Sequence, residues 1–207
     1  VLDLYPGLWL SRPGEAMASG GAAAIHELEC WRQAALALRR QALGWADELD
    51  AAAARLAITF AHLPGEPVAA LNRFAAAGYL GRDEARRVQQ LLEPRTVPQG
   101  ERAVRRFLHE AGDLWPTAAC VLGARAARLG EFAPWESWLR GVVELLERAG
   151  DEILRPVPLL TGDAVARLLN IPPGPAVGLA LAQIRAAQVA GEVRTAAAAT
   201  ALLLGGH

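Results

Sequence analysis

Apolar residues recur at helical spacing along most of this 207-residue chain, and no stretch shows the alternation of apolar and polar positions that is typical of a strand. Capping residues, Gly and Pro mark the ends of the periodic segments. The pattern predicts an all-α fold. The predicted helices lie at 22–42, 47–62, 67–76, 82–92, 101–111, 114–129, 133–149, 161–169, 175–190 and 195–204.

Two segments interrupt this pattern. Residues 1–21 contain several Pro and Gly residues, which favour irregular structure with at most a short helix, and Trp9 and Leu10 are predicted to cover a core. The clearest internal loop runs from Glu93 and Pro94 to Gly100.

The most informative stretch is 159–192, which predicts two helices joined by a stiff turn. Thr161 is a suitable N-cap for the first helix, and Asn170 ends it. Proline residues in the turn 170–175 have no N–H to donate, and Pro175 suits the first turn of the second helix. Gly178 is expected to allow a neighbouring backbone to approach, and Gly191 ends the helix.

This stretch resembles the C-terminal region of bacterial tRNA nucleotidyltransferases, which add CCA, CC or A, and of their poly(A) polymerase relatives. The pattern is L-T-G-D-x-[VL]-x-x-L-L-x-[IL]-P-P-G-P-x-[VI]-G followed by L-x-x-I-R-x-A-Q-x-x-G-E-V-R-T. It is carried here by Leu160, Thr161, Gly162, Asp163, Leu168, Ile171, Pro172, Pro173, Gly174, Pro175, Gly178, Ile184, Arg185, Ala187, Gln188, Gly191, Glu192, Arg194 and Thr195.

The resemblance implies an elongated multi-helix array, the body and tail of a class II-like enzyme. We divide the chain into a body-like region at 1–95, a central region with a basic face at 96–155, and a helix–turn–helix region at 156–207. Residues 104–128 look like the preceding body of such enzymes, whereas the likeness before about residue 95 is compositional.

The family performs nucleotide addition in an N-terminal head, where a Gly-Ser turn and a D-x-D carboxylate pair hold metal ions. This chain has no such turn, and Asp47, Glu48 and Asp50 are interpreted as an exposed helix start. The family's E-D-x-x-R nucleotide-selecting motif is also missing. We therefore expect the chain alone to be inactive and to hold no cofactor, with Mg²⁺ and CTP or ATP required only by the missing head.

Composition adds one difficulty for RNA binding. The formal net charge is −1, and all 21 basic residues are arginine. RNA binding must then depend on local basic patches rather than on the charge of the whole chain, although arginine suits bidentate phosphate contacts.

The helix at 101–111 offers such a patch. At about 100° per residue, Arg102, Arg105, Arg106 and His109 fall on one stripe, opposite an apolar face that includes Phe107. This stripe could follow an RNA backbone. The alternative is a solvated face that Glu101 and Glu110 partly neutralise.

Arg125, Arg128 and Arg140 could extend this phosphate track. Arg140 could instead pair with Glu136 or Glu144 across one helical turn. Trp135 and Trp138 are interpreted as core aromatics rather than as stacking platforms for bases.

The turn before the helix at 175–190 is a further candidate, because the Gly174 N–H and the helix dipole could hold a phosphate. A stiff interhelical corner is the equal alternative. Arg155, Arg185 and Arg194 are further RNA-binding candidates with a purely structural alternative.

Some relatives contain an HD-type phosphohydrolase region with a His-Asp pair. Here His62 is followed by Leu63, so this region is interpreted as degenerate and no metal site is expected. A Ser-His-Asp hydrolase is unsupported because no Gly-x-Ser-x-Gly motif is present.

Cys30 and Cys120 have no CxxC spacing and are expected to be buried free thiols, which favours a reducing cytoplasm. No run approaches the roughly 20 apolar residues that cross a bilayer, so no membrane partner is expected. The N-terminus lacks a basic leader and an initiator Met, which suggests a fragment or a processed chain.

The sequence thus predicts a tRNA-binding module that positions the 3′ end for a catalytic head, located elsewhere in the full-length protein or on a separate chain. As the resemblance implies, the partner is the acceptor and TΨC half of tRNA, recognised by shape and phosphates. The alternatives are a non-enzymatic helical domain that binds protein and an HD-derived hydrolase. An exposed apolar groove would favour protein binding, and a continuous arginine track would favour RNA.

Overall fold

A computed structural model describes residues 15–93 and 96–205 of the chain. Within these ranges every regular element is helical, which confirms the predicted all-α class. The α-helices are α1 (Glu15–Gln41), α2 (Ala51–Ala61), α3 (Pro67–Ala76), α4 (Arg82–Leu92), α5 (Glu101–Ala111), α6 (Trp115–Arg128), α7 (Phe132–Leu154), α8 (Gly162–Leu169), α9 (Pro175–Val189) and α10 (Ala196–Leu204), with short 3-10 helices at Leu43–Glu48 and Gly112–Leu114.

The largest boundary error concerns α1, which begins at Glu15 rather than at residue 22 and includes Gly20 and Gly21. A Cβ at Gly20 would lie 2.7 Å from the carbonyl oxygen of His62, so this glycine allows α1 to approach the end of α2 closely. The prediction failed because tertiary packing outweighs the weak helix propensity of glycine. The predictions for Trp9, Leu10 and Pro94 lie outside the described residues.

The helix predicted at 47–62 is two elements. A 3-10 helix ends at Glu48, and α2 begins after Asp50, whose Oδ1 accepts the N–H of Ala53 at 2.9 Å. The backbone N–H of Asp50 is donated to Thr117 Oγ1, also at 2.9 Å. Asp50 is therefore a helix cap whose backbone is bonded to α6. From the sequence, this carboxylate was interpretable only as part of an exposed helix start.

The described residues divide into two compact units, one of residues 15–93, 96–97 and 114–140 and the other of residues 98–113 and 141–205. The predicted central region, 96–155, contributes residues to both units. In the first unit α1 packs most extensively against α6. Trp135 is fully buried there, and its indole N–H is donated to the Ala119 carbonyl at 3.0 Å, which places this tryptophan in the core as predicted.

The second unit contains α5, the end of α7 and the helices α8, α9 and α10. Its core is a cluster that includes Val165, Val177, Ile184, Ala199 and Leu203. These residues come from α8, α9 and α10, so all three helices of the region predicted at 156–207 share one apolar core.

The caps of α8 match the prediction. Thr161 Oγ1 accepts the N–H of Ala164 at 3.2 Å, and Asn170 ends the helix in the left-handed region at φ 52°. Gly191 has φ 79° after the end of α9. The expectation for Gly178 is wrong, because among the described residues no atom outside its own stretch of helix lies within 4 Å of the position that its Cβ would occupy. This glycine faces solvent instead of a neighbouring backbone.

In the described part of the chain, no helix combines the length and the apolar character that a membrane span requires.

Candidate functional site

A cleft lies between α5 and α9 in the second unit, with a volume of about 780 Å³. Exposed alanines at 182 and 186 of α9 form part of its wall, and small side chains there leave room for a bulky ligand. The charged and polar lining includes Arg102, Arg106, His109, Gln183, Arg185 and Glu192. We call this the α5–α9 cleft.

The three arginines of the cleft differ in the ion pairs and hydrogen bonds that their side chains make within the protein. Arg102 Nη1 lies 2.9 Å from Glu192 Oε1, and the Arg102 side chain is 77% exposed. Arg185 donates from Nη1 to the Pro156 carbonyl at 3.0 Å. Arg106 is exposed and has no ion pair among the described residues. Arg106 is thus the most available cation, while Arg185 is oriented by the backbone.

The imidazole of His109 is oriented in the same way. Its Nδ1 lies 2.9 Å from the Ile153 carbonyl, a contact in which Nδ1 donates. In that tautomer a neutral ring presents Nε2 as an acceptor. The cleft is lined by three arginines and by two carboxylates, those of Glu110 and Glu192. Its lining therefore carries a small excess of positive charge.

Arg105 does not belong to this exposed face. Its side chain is only 3% exposed, and Nε donates to Glu101 Oε1 at 2.8 Å. A Cβ on Gly191 would lie 3.5 Å from the guanidinium carbon, so the turn after α9 covers this arginine. The predicted single stripe of Arg102, Arg105, Arg106 and His109 is therefore wrong for Arg105, because helical periodicity does not show which neighbouring turn covers a residue.

The ion pair with Arg105 also affects Glu101. The hydrogen bond from Arg105 lowers the pKa of the Glu101 carboxyl, and the charges of Arg105, Arg148 and Arg194 act in the same direction. Arg148 Nη2 lies 3.5 Å from Glu101 Oε2. Within this unit, Glu101 connects α5 to Arg148 on α7, and Arg105 lies against the turn at Gly191.

Arg125 and Arg128 lie in the first unit and form ion pairs with one buried carboxylate. Arg125 Nε is 3.5 Å from Glu27 Oε1, and Arg128 Nε is 3.2 Å from Glu27 Oε2. His62 Nε2 lies 2.8 Å from the same Oε2. His62 also caps the C-terminal end of α2. Sequence reasoning missed Glu27, since nothing near it in the sequence indicates its distant partners.

The remaining candidates stand apart from the cleft. Arg140 is exposed and makes no ion pair among the described residues, while its predicted partner Glu136 lies 3.7 Å from Arg40 instead. Gly174 is exposed at the start of α9, about 16 Å from Arg185 at 1.5 Å of rise per residue. Its backbone is extended at φ 161°, and its helix has no side-chain cap among the residues that the structure describes. Of the candidates, Arg102, Arg106 and Arg185 line the α5–α9 cleft together.

Both cysteines are buried free thiols, as predicted. Burial raises the pKa of Cys120 to about 12, and burial with the nearby Glu27 and Glu29 raises that of Cys30. Because the thiolate is the reactive form, neither cysteine has the character of a nucleophile at neutral pH. Among the described residues no cluster of three His, Cys, Asp or Glu side chains could hold a metal ion.

Comparison with known proteins finds two relatives. The A-adding tRNA nucleotidyltransferase of Deinococcus radiodurans is 30% identical over 107 residues, which is 48% of this chain and 24% of that enzyme. The CC-adding tRNA nucleotidyltransferase of Thermus thermophilus is 36% identical over 110 residues, 52% of this chain and 24% of that enzyme.

The chain spans about a quarter of the length of these curated relatives. No protein-family model matches it, and no solved structure matches it significantly. Over about half of its length the chain is nevertheless clearly similar to a part of bacterial tRNA nucleotidyltransferases, which confirms the resemblance expected from its LTGD and PPGP motifs.

Proposed function

We propose that this chain binds tRNA as a positioning module of a tRNA nucleotidyltransferase and that the α5–α9 cleft contacts the RNA backbone. The observation that carries the proposal is the placement of Arg102, Arg106 and Arg185 around one cavity. The two relatives are enzymes that act on tRNA by name, which makes RNA phosphates the fitting ligand for these cations.

The chemistry of the cleft suits backbone recognition rather than base recognition. Guanidinium groups bind phosphate oxygens through two parallel N–H donors, and Gln183 adds a further polar contact at the cleft. Among the described residues that line the cleft there is no Phe, Tyr or Trp, and the ring of His109 is held by the Ile153 carbonyl, so the cleft offers no large aromatic platform for splayed bases. The proposed contact is therefore with the phosphates and shape of a helical RNA, such as the acceptor and TΨC half of tRNA.

On this proposal the chain adds no nucleotide itself. Its described residues offer no carboxylate cluster for catalytic metal ions. Nucleotide addition, with Mg²⁺ and CTP or ATP, then requires a catalytic head outside this chain. The chain contributes affinity and orientation of the RNA, which lowers the entropic cost of presenting the 3′ end.

The test is a fluorescence anisotropy titration of a labelled acceptor–TΨC minihelix at low salt. The variant is the double substitution Arg102→Gln, Arg106→Gln, which leaves the buried Arg105 in place. The matched control is Arg82→Gln, Arg86→Gln, an exposed arginine pair at the same i, i+4 spacing on α4 in the other unit. The two double variants lose the same charge.

We expect the cleft variant to weaken binding roughly tenfold or more, since it loses two charge-assisted contacts, and the control to change it less than about threefold. Equal losses in both variants would show that binding follows net charge alone. Wild-type protein that fails to bind even at low salt would exclude the module function. The apolar groove formed by Leu36 and Phe132 would then favour the alternative of a protein-binding domain.

A further inference from the structure

A second polar cavity lies wholly within the first unit and is distinct from the α5–α9 cleft. It has a volume of about 390 Å³ and lies at the end of α2 and the start of α3. Glu27, His62, Arg125 and Arg128 provide its charged and polar interior, while Gly65 to Val68 and Leu92 complete its wall. We call it the Glu27 pocket.

Glu27 is the centre of this pocket. The residue is only 1% exposed, which is unusual for a carboxylate and requires compensating partners. His62 Nε2 and Arg128 Nε both contact Oε2, at 2.8 and 3.2 Å. Oε1 accepts no hydrogen bond from any residue that the structure describes, although Arg125 Nε lies 3.5 Å from it. One buried oxygen that lines the pocket therefore lacks a donor at hydrogen-bonding geometry.

The pocket also presents donors. Arg128 contacts Glu27 through Nε, and its side chain remains 37% exposed, so its terminal amino groups can reach a ligand. The helix α3 starts at Pro67, no described side chain caps it, and Val68 in its first turn lines the cavity. The first N–H groups of a helix have no intrahelical acceptor and carry partial positive charge, which favours an anion.

The charges decide which kind of anion fits. Two guanidinium groups surround one buried carboxylate, which leaves an excess of one positive charge in the interior, and Glu66 at the rim is exposed and screened by solvent. A fully deprotonated anion would satisfy the arginines but place a lone pair against Glu27 Oε1. An anion that carries its own proton would satisfy both, because its O–H can donate to Oε1.

We propose that the Glu27 pocket binds a protonated phosphate group, either hydrogen phosphate or the terminal phosphate of a small phosphomonoester. Its unprotonated oxygens accept from Arg128, Arg125 and the start of α3. Its P–OH donates to Glu27 Oε1. The site goes beyond the proposed RNA contact, since it lies in the other unit and shares no residue with the α5–α9 cleft.

The decisive experiment compares two anions on the whole chain by isothermal titration calorimetry at matched ionic strength near neutral pH. Inorganic phosphate keeps a P–OH under these conditions and sulfate does not. We expect phosphate to bind roughly tenfold more tightly than sulfate or better, since only phosphate can donate to Glu27 Oε1. Equal affinity for the two anions would overturn the proposal, and this comparison needs no variant.

The variant Arg128→Gln tests whether the Arg128 guanidinium donates hydrogen bonds to the phosphate. We expect it to weaken phosphate binding roughly tenfold, whereas Arg140→Gln, an exposed arginine in the same unit but outside the pocket, leaves it unchanged within about twofold. Circular dichroism establishes that the variant remains folded. Unchanged phosphate binding by folded Arg128→Gln would contradict the proposal.

Two further ligands separate the sources of the phosphate group. Adenosine monophosphate near pH 6, where a monoester is partly protonated, should compete with inorganic phosphate. A tRNA minihelix offers internal phosphodiesters without a P–OH and should not compete. If the minihelix alone responds to Arg128→Gln, the pocket belongs to the RNA surface and the proposal is wrong, while the cleft variants test the proposed function separately.

Discussion

At the scale of single residues, Arg105 and Arg106 show that neighbouring residues of the same type have different roles. Arg105 is 3% exposed and bonded to Glu101, whereas Arg106 is exposed at the cleft. Replacing Arg105 would break its ion pair with Glu101 and would also remove a buried side chain that lies against the turn after α9. If Arg102, Arg105 and Arg106 were all replaced, weaker RNA binding could not be separated from reduced stability of the fold. Arg105 is therefore left intact in the binding test.

The Glu101–Arg105 ion pair predicts a pH dependence of stability. Because Arg105 lowers the folded-state pKa of Glu101 from its ordinary value of 4.5, the stabilisation is fully present above that value. It is lost as pH falls through the lowered pKa. We expect Glu101→Gln to be less stable than wild type near neutral pH and the difference to shrink as the pH falls below 4.5.

Urea unfolding followed by circular dichroism at several pH values measures this difference. Glu110→Gln on the same helix is the control, since Glu110 is exposed and makes no ion pair among the described residues. We expect that control to follow wild type at every pH. A gap between Glu101→Gln and wild type that persists at the lowest pH would assign the effect to packing rather than to charge.

At the scale of helices, the contact of α1 with α6 depends on a glycine. A Cβ at Gly123 would lie 2.5 Å from the Trp135 ring and 2.9 Å from the Ala34 Cβ, and Trp135 is fixed by its hydrogen bond to Ala119. We expect Gly123→Ala to destabilise the protein by about 1–3 kcal/mol through overpacking. Thermal or urea unfolding, followed by tryptophan fluorescence, gives the value.

Gly141 on α7 is the matched control, because no atom of the described chain outside its own stretch of helix lies within 4 Å of the position of its Cβ. Alanine is a better helix former than glycine, so Gly141→Ala should stabilise the protein by up to about 1 kcal/mol. Opposite signs for these two identical substitutions would establish the close packing of α6. Stabilisation by both would refute it.

The helices themselves were largely predictable from sequence. Amphipathic periodicity and caps such as Thr161 and Asn170 are local, so α3, α4, α5 and α8 begin and end within a residue of their predicted positions. The start of α1 was not predictable, since Gly20 lies within a helix only because α2 packs against it. Local sequence defines most elements here, and tertiary contact decides the exceptions.

At the scale of the whole molecule, the charged clusters were beyond sequence reasoning. Glu27 and Arg128 are 101 residues apart, and Glu27 and His62 are 35 apart, so only the packing of α1, α2 and α6 brings them together. Arg102, Arg106 and Arg185 were predicted individually, but their shared cleft depends on the contact of α5 with α9. The pattern of charged residues in the sequence therefore identified candidate residues, and the packing of the helices decides which of them lie together.

The net charge of −1 leads to a final prediction about RNA binding. A nearly neutral chain attracts RNA weakly at long range, so the affinity should come from the few cations of the α5–α9 cleft. Each neutralised phosphate contributes about −0.7 to −0.9 to the slope of log K against log salt. Contacts by Arg102, Arg106 and Arg185 should then give a slope of roughly −2 to −3, which falls to about −1 in the Arg102→Gln, Arg106→Gln variant.

Minihelix titrations at four or more salt concentrations measure the slope, with the α4 double variant expected to keep the wild-type value. A much steeper wild-type slope would place further phosphate contacts outside the cleft, and an unchanged slope in the cleft variant would remove the cleft from the RNA interface.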